Sequence, residues 1–447
     1  MPPTLALMLC TTFVACLLYI DHRQAQGTTI ALWIPTLWML VICSKPLSYW
    51  FGGGRQMEEI DVLAGSPMDR LFLLIISAAA FLILLQRRAD WRAILKGNIW
   101  LIVLILYMMI SLFWSEISYT SLKRWIREII ALLMFLFIMT EPNPAQALLA
   151  LFRRTIYILI PYSLVLIQYF SYWGRMYGRW SGEVMWVGAT LHKNTLARLC
   201  AFTLFFTIWT LRYRRRRRMF IKYQAWFEIA VAAMALYMFA GPNHTLTYSA
   251  TSFISLVFGL LVYFTLLLMK KQGATPYPAL LTIIALAIIF YGIATPFIGG
   301  LSIIDPSSMV GRNENLTGRT DIWSALIPFA VQKFIFGHGY GGFWTPENME
   351  NALEVTEAHN GYLDIILDLG FVGLAMMTIL IISYNSKALK FLLRDDDWAT
   401  FFLSYTFMVL IYNVTEASLS SLTNQMSATF FFLAVFITSR RGKLILP

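Results

Sequence analysis

Apolar residues in this chain gather into repeated runs of roughly 17 to 23 positions, the length a helix needs to cross a hydrocarbon core. The runs fall near residues 4–20, 28–44, 71–86, 99–115, 125–140, 155–172, 195–211, 226–242, 247–269, 278–298, 361–384, 399–415 and 426–439. A helix satisfies its own backbone polar groups inside lipid, so the pattern predicts an all-α, polytopic transmembrane bundle of about twelve to thirteen spans. One long polar interruption breaks it, from Gly299 to Asn360. Loops of that length are functional or disordered. This one is rich in aromatics, Gly turns and helix starts, so it reads as folded and functional. The expected organisation is a bundle with short loops over 1–298, a large helical outward loop over 299–360 and C-terminal spans over 361–447, together one integral membrane domain.

Composition agrees with the pattern. Of 447 residues, 58% are hydrophobic and 13% charged, with a mean hydropathy of +0.65, whereas a soluble domain carries about 25% charged residues. The first apolar run lacks a basic lead and a small-x-small cleavage site, which favours a retained helix. The four cysteines lie inside apolar runs without metal-ligand spacing, so neither a disulfide framework nor a bound metal is expected. The net charge of +11 is spent on loops. Arg87, Arg88, Arg92 and Lys96, then Arg153 and Arg154, then Arg212 and Arg214 to Arg218 follow or precede successive spans. Lys270 and Lys271, then Lys387, Lys390 and Arg394, and finally Arg440, Arg441 and Lys443 continue the alternation. Basic loops stay in the cytoplasm, so a single orientation places the 299–360 loop outside and the C-terminus inside. The basic run at 212–218 therefore reads as a topology anchor, with no nucleic-acid partner. Asp395 to Asp397 falls on the cytoplasmic side and reads as a solvated loop.

One outward connection breaks the charge rule. WGRMYGRWSGEVMWVGATLHKN carries Arg175, Arg179, His192 and Lys193, and cations kept outside point to an anionic ligand. In the main loop, Arg312 and Arg319 suit a bidentate grasp of phosphate oxygens. His359 stands directly before a long apolar run and has a pKa suited to taking a proton near neutrality. Gly370 and Gly373, deeper in that run, permit close backbone packing. Thr345-Pro346-Glu347 reads as a helix start, and Glu347, Glu350, Glu354 and Glu357 would then line one side of a helix leading to His359. GHGYGGFW (Gly337 to Trp344) lacks the strand a nucleotide-binding fingerprint requires and reads as a turn-rich loop with a structural His338. Lys123, Arg124, Arg127 and Glu128 sit at the outer end of a span, to help bind diphosphate or to snorkel.

These residues resemble the bacterial O-antigen ligase and O-antigen or exopolysaccharide polymerase family. The resemblance rests on H-N-x9-G-x2-G (His359, Asn360, Gly370, Gly373), on TGRTDIW (Thr317 to Trp323), on GHGYGGFW and on GATLHKNTLAR (Gly188 to Arg198). It implies a GT-C-like bundle in the bacterial inner membrane with its active site facing the periplasm. It also implies an inverting, metal-independent glycosyltransferase without cofactors. The donor would be an oligosaccharide on undecaprenyl diphosphate, and the acceptor a sugar hydroxyl of a second glycan or of lipid A-core. His359 and Arg319 take the catalytic positions, Arg179, Arg312 and Lys193 are candidates for the donor diphosphate, and Asn360, Gly370 and Gly373 support them. The LHKN segment favours a polymerase over a ligase. A reading from another class, a lipid-linked glycan flippase, would place ionisable groups at mid-membrane. The span interiors read as nearly free of charge.

Overall fold

The computed structural model describes residues 1–25, 27–52, 66–177, 182–219, 222–242, 248–272, 278–298, 318–353, 355–394 and 396–439. Each predicted span falls on helix. Among the described residues, nine helices are long and apolar enough to cross a membrane. A tenth arises if Trp91–Gly97 and Ile99–Trp114, bent by 76°, form one broken span. Ile30–Ile42 and Gln425–Ser439 are apolar but shorter, and Ser118–Met139 carries four charged residues in its first half. This is a multi-pass helical membrane protein.

The chain forms two compact units, Met1–Arg87 with Leu136–Leu256, and Arg88–Phe135 with Val257–Pro447. In the first, Pro144–Tyr169 packs against Pro3–Gln24, Trp33–Ile42 and Lys222–Ala240, and Lys193–Arg216 packs along Lys222–Ala240. The expected outward loop contains a two-stranded antiparallel ribbon that pairs Arg175 with Trp186 and Tyr177 with Val184. Buried Lys45 anchors it, donating from Nζ to the carbonyls of Trp173 and Gly188, while the Lys45 amide donates to Ala189 O at 2.8 Å. Burial lowers the Lys45 pKa to about 8. Gly188, at φ +54°, lets the chain pass Ser163: a Cβ there would lie 2.6 Å from the Ser163 side chain.

Three cations assigned above to loops are instead buried inside helices. Arg153 and Arg154 pair with Asp21 at 2.8 and 2.7 Å, and Arg214 pairs with Glu228 at 2.7 Å. Gln24 bridges the pairs, accepting from Arg153 and donating to Gln224, whose amide reaches Glu228; Tyr157 also donates to Glu228. Burial of these arginines is tolerated because carboxylates on other helices meet them. The network ties Pro3–Gln24, Pro144–Tyr169, Lys193–Arg216 and Lys222–Ala240 together.

In the second unit, Gly361–Leu392 packs against Asp397–Thr415, Pro278–Phe297, Ile99–Ser111 and Arg319–Gln332. Asp397–Thr415 is almost wholly buried, and Asp396, read above as part of a solvated loop, caps it by accepting from the Ala399 amide at 2.9 Å.

Asp21→Asn takes the ion-pair partner from two buried guanidinium groups. The purified protein is expected to lose roughly 3–5 kcal/mol of stability, read as a lower midpoint of thermal or denaturant unfolding in detergent; an unchanged midpoint would show that the network is not a fastener.

Candidate functional site

The site is built from three helix ends. Asn360 caps Gly361–Leu392: its Oδ1 accepts from the Tyr362 and Leu363 amides at 3.0 and 2.9 Å. Its Nδ2 donates to Gly292 O at 2.9 Å and Val414 O at 3.0 Å. One side chain thus satisfies two orphan amides and fastens the capped end to two neighbouring helices. The next amide, Gly361 N, donates to Glu416 O at 3.1 Å, bringing the C-terminal end of Asp397–Thr415 alongside. The segment before the cap is equally constrained. Ala358 donates to Asp364 Oδ1 at 3.0 Å, and its carbonyl accepts from Trp323 Nε1 at 2.9 Å. Held from both sides, His359 adopts φ +49°, a left-handed conformation that side chains other than Gly disfavour and that clusters at functional sites.

His359 Nδ1 lies 3.3 Å from Glu416 Oε2 and 3.3 Å from Glu357 Oε1. Arg319, the first residue of Arg319–Gln332, donates from Nη2 to Glu416 Oε1 at 2.5 Å. The Glu416 side chain is 4% exposed and His359 29%. Carboxylates only accept, so the proton shared with them resides on Nδ1, and Nε2 is left as the basic nitrogen. Burial alone would lower the His359 pKa. The Glu416 hydrogen bond and charge, with Glu357, outweigh both burial and Arg319, so the pKa rises above its ordinary value.

Gly370 explains the spacing of the His359 motif. It has φ +67° and ψ −169°, and splits Gly361–Leu392 at a kink. A Cβ there would sit 2.3 Å from Ile335 O. The backbone groups released by the kink are taken up by the segment leading into the GHGYGGFW turn. Phe371 N donates to Phe334 O, Val372 N to Ile335 O, and Leu367 O accepts from His338 N, at 2.7, 3.1 and 2.8 Å. Tyr107 Oη donates to Leu369 O at 2.9 Å. Non-helical backbone at membrane depth requires such partners. Gly373 lies three residues further along the same helix. His338 is buried with its ring edge-on to Phe343 and Nε2 3.3 Å from Phe329 O, and burial lowers its pKa.

Two expectations change. The acid-lined helix does not reach His359: Thr345 caps it, accepting from the Asn348 amide at 3.2 Å, but the helix is Pro346–Asn351 alone, and Leu353 turns left-handed at φ +62°. Glu357 instead faces His359 from irregular chain, and Glu354 lies outside the described residues. Nor are the helix interiors free of charge. Asp364 and Asp368 are buried in the first turns of Gly361–Leu392, where both accept from backbone amides, Ala358 N and Phe343 N. Local burial of an acid that serves a backbone donor is invisible to a hydropathy average.

Of the residues singled out in the sequence, Arg319 and His359 are brought onto one carboxylate, with Asn360 as the adjacent cap. Arg179 and Arg312 lie outside the described residues. Lys193 belongs to the first unit, opening Lys193–Arg216 with its Nζ 5.6 Å above the Tyr248 ring. Arg124 donates to Gly341 O, and Lys123 stacks over Tyr119.

Comparison with known proteins bears on this arrangement. Residues 243–378 match the family model described as O-Antigen ligase (Wzy_C). That stretch contains Arg319, His359, Asn360, Gly370 and Gly373. The chain is also similar to the exopolysaccharide production protein ExoQ of Rhizobium meliloti (strain 1021), 23% identical over 328 residues that cover 69% of each chain. These two likenesses support the O-antigen ligase/polymerase family, and the matched stretch holds Arg319 and His359 of the candidate site.

That family supports a ligase- or polymerase-type membrane function and implies a lipid-linked polysaccharide substrate with a glycan acceptor. Glu416, which joins the two motif residues, escaped the sequence reading; its signal was a lone acid directly after an apolar run. Among the described residues, Glu357, His359 and Glu416 could each turn one ligand atom to a common point, these atoms lying within 4.8 Å of one another. The Arg319 guanidinium already pairs with the Glu416 carboxylate of that group.

Glu416→Gln removes the hydrogen-bonded charge that lifts His359 and leaves burial and Arg319, which both favour the neutral ring. The His359 midpoint is expected to fall, and in Arg319→Ala to rise, as read by histidine-selective NMR titration of detergent-solubilised protein. Shifts of opposite sign would contradict this balance of charges around the ring.

Proposed function

We propose that the protein is an inverting membrane glycosyltransferase that moves a glycan from undecaprenyl diphosphate to an acceptor sugar hydroxyl on the periplasmic face of the inner membrane. The observation that carries the reading is the shared Glu416 carboxylate, which orients His359 and holds Arg319 beside it. His359 Nε2 takes the proton of the acceptor hydroxyl as that oxygen attacks the anomeric carbon. The new glycosidic C–O bond forms as the bond from the anomeric carbon to the phosphate oxygen breaks, and the lipid diphosphate leaves with the electron pair. Glu416 fixes the Nδ1–H tautomer and stabilises the imidazolium, a role general to oriented histidine bases. Arg319 offers positive charge to the departing phosphate, an effect often worth about 3–4 kcal/mol per well-placed donor. Arg179, Arg312 and Lys193 are proposed for the same diphosphate on the strength of the motif resemblance. The reaction uses the activation the lipid diphosphate itself brings, with no metal and no cofactor in the proposed chemistry.

Similarity to an exopolysaccharide production protein supports a polymerase, in which the acceptor is a second lipid-linked repeat. The description of the matched family model supports a ligase acting on lipid A-core.

With purified protein and an undecaprenyl-diphosphate oligosaccharide, release of lipid diphosphate is expected to drop about 10²–10⁴-fold in His359→Ala. Transfer at the wild-type rate would reject the base assignment. The neutral imidazole is the active form, so the rate is expected to climb with pH through the raised His359 pKa. In Glu416→Gln that limb moves to lower pH while the plateau falls. Supplying the donor alone or with lipid A-core separates the readings: lengthened lipid-linked chains mark a polymerase, core-linked product a ligase.

A further inference from the structure

Glu128 stands outside the constellation just described, yet three donors from two separate loops converge on it. It is 2% exposed, in the middle of Ser118–Met139. Its Oε1 accepts from Tyr340 Oη at 2.6 Å and from Ser421 Oγ at 2.9 Å, and its Oε2 accepts from Leu422 N at 2.7 Å. Tyr340 lies at the centre of the GHGYGGFW turn, and its own amide donates to Ser111 Oγ at 2.9 Å. Ser421 and Leu422 belong to the short connection that begins with Glu416 and ends where Gln425–Ser439 starts. Asn413 grips the same connection from the other side, accepting from the Ser418 and Leu419 amides at 2.9 and 3.0 Å. The connection is therefore held at one end by Asn413 and at the other by Glu128. Arg127 and Tyr340 are the charged or titratable groups that face Glu128.

A buried carboxylate is costly unless its oxygens are satisfied, and a hydrophobic residue would fill the same space without that cost. The three bonds give the carboxylate a task that an apolar side chain could not perform, holding a loop in register against a helix. From this geometry we propose that Glu128 is a positioning residue for the transfer reaction: it pins the 416–424 connection so that the Glu416 carboxylate stays against His359 Nδ1 and Arg319. The inference rests on the glycosyltransferase reading for its catalytic consequence, but not for its geometry.

The test reads His359 directly. The groups facing its ring are Glu416, Glu357, Arg319 and Asp364, and of these only Glu416 lies on the pinned connection. In Glu128→Ala the connection loses its hold at Ser421 and Leu422, and the His359 NMR titration midpoint is expected to fall by about one unit, a tenfold loss of proton affinity, toward the value in Glu416→Gln. Glu128→Gln rescues it: the amide oxygen serves the Leu422 N–H, which cannot turn, while the hydroxyls of Tyr340 and Ser421 rotate to accept from the NH₂. Ser421→Ala, which removes a single surface of the clamp, keeps the test alive if Glu128→Ala does not fold, and it lowers the midpoint by less. Tyr340→Phe removes a hydroxyl that meets both Glu128 and Ser421 but keeps the Leu422 amide bond, so it lowers the midpoint by less than Glu128→Ala. In the transfer assay with undecaprenyl-diphosphate oligosaccharide, Glu128→Ala lowers kcat by up to about 10²-fold with the donor KM unchanged. Folded Glu128→Ala or Ser421→Ala protein whose His359 titrates at the wild-type midpoint would overturn the inference, as would Glu128→Gln behaving like Glu128→Ala. Full transfer by His359→Ala would instead sink the catalytic reading and leave the midpoint test of Glu128 intact.

Discussion

The second unit depends on one acceptor being shared by two donors. Glu416 terminates a buried helix, and its two oxygens face an imidazole and a guanidinium that arrive from different helices. Each partner alone would leave an expensive charge in a poorly hydrated place. Together they satisfy both carboxylate oxygens and leave the outer ring nitrogen of His359 basic. The strained backbone of His359 is the cost of that arrangement, and the Asn360 cap with the doubly held Ala358 peptide sustains it.

The kink at Gly370 solves a different problem with the same economy of hydrogen bonds. A chain that stops being helical among apolar helices must return its amides and carbonyls to other protein groups. Here the segment Phe334–His338 supplies them, so the glycine-rich turn and the distant glycine of the histidine motif are two halves of one backbone junction.

The first unit is fastened by charge as well as by apolar packing. The Asp21–Arg153–Arg154 and Arg214–Glu228 pairs, bridged by Gln24 and Gln224, join four helices near their basic ends. Arginines that the sequence alone assigns to loops are therefore internal ties once carboxylates from neighbouring helices reach them.

Much of the architecture was legible in the residue order alone. Apolar runs long enough for a bilayer and the Thr345 cap with Pro346 behind it are local properties, set by hydrophobicity, hydrogen-bonding capacity and allowed backbone angles over a few neighbouring residues. The helix toward His359 was overextended because the acids at three- and four-residue steps carry no sign of the left-handed Leu353 that follows the helix. What only the tertiary structure decided is which charges meet. Glu416 lies 57 positions from His359 and 97 from Arg319, and Glu128 lies 294 from Leu422. A lone acid reads alike in a solvated loop and in a buried clamp, because its energy depends on donors that only folding brings within reach.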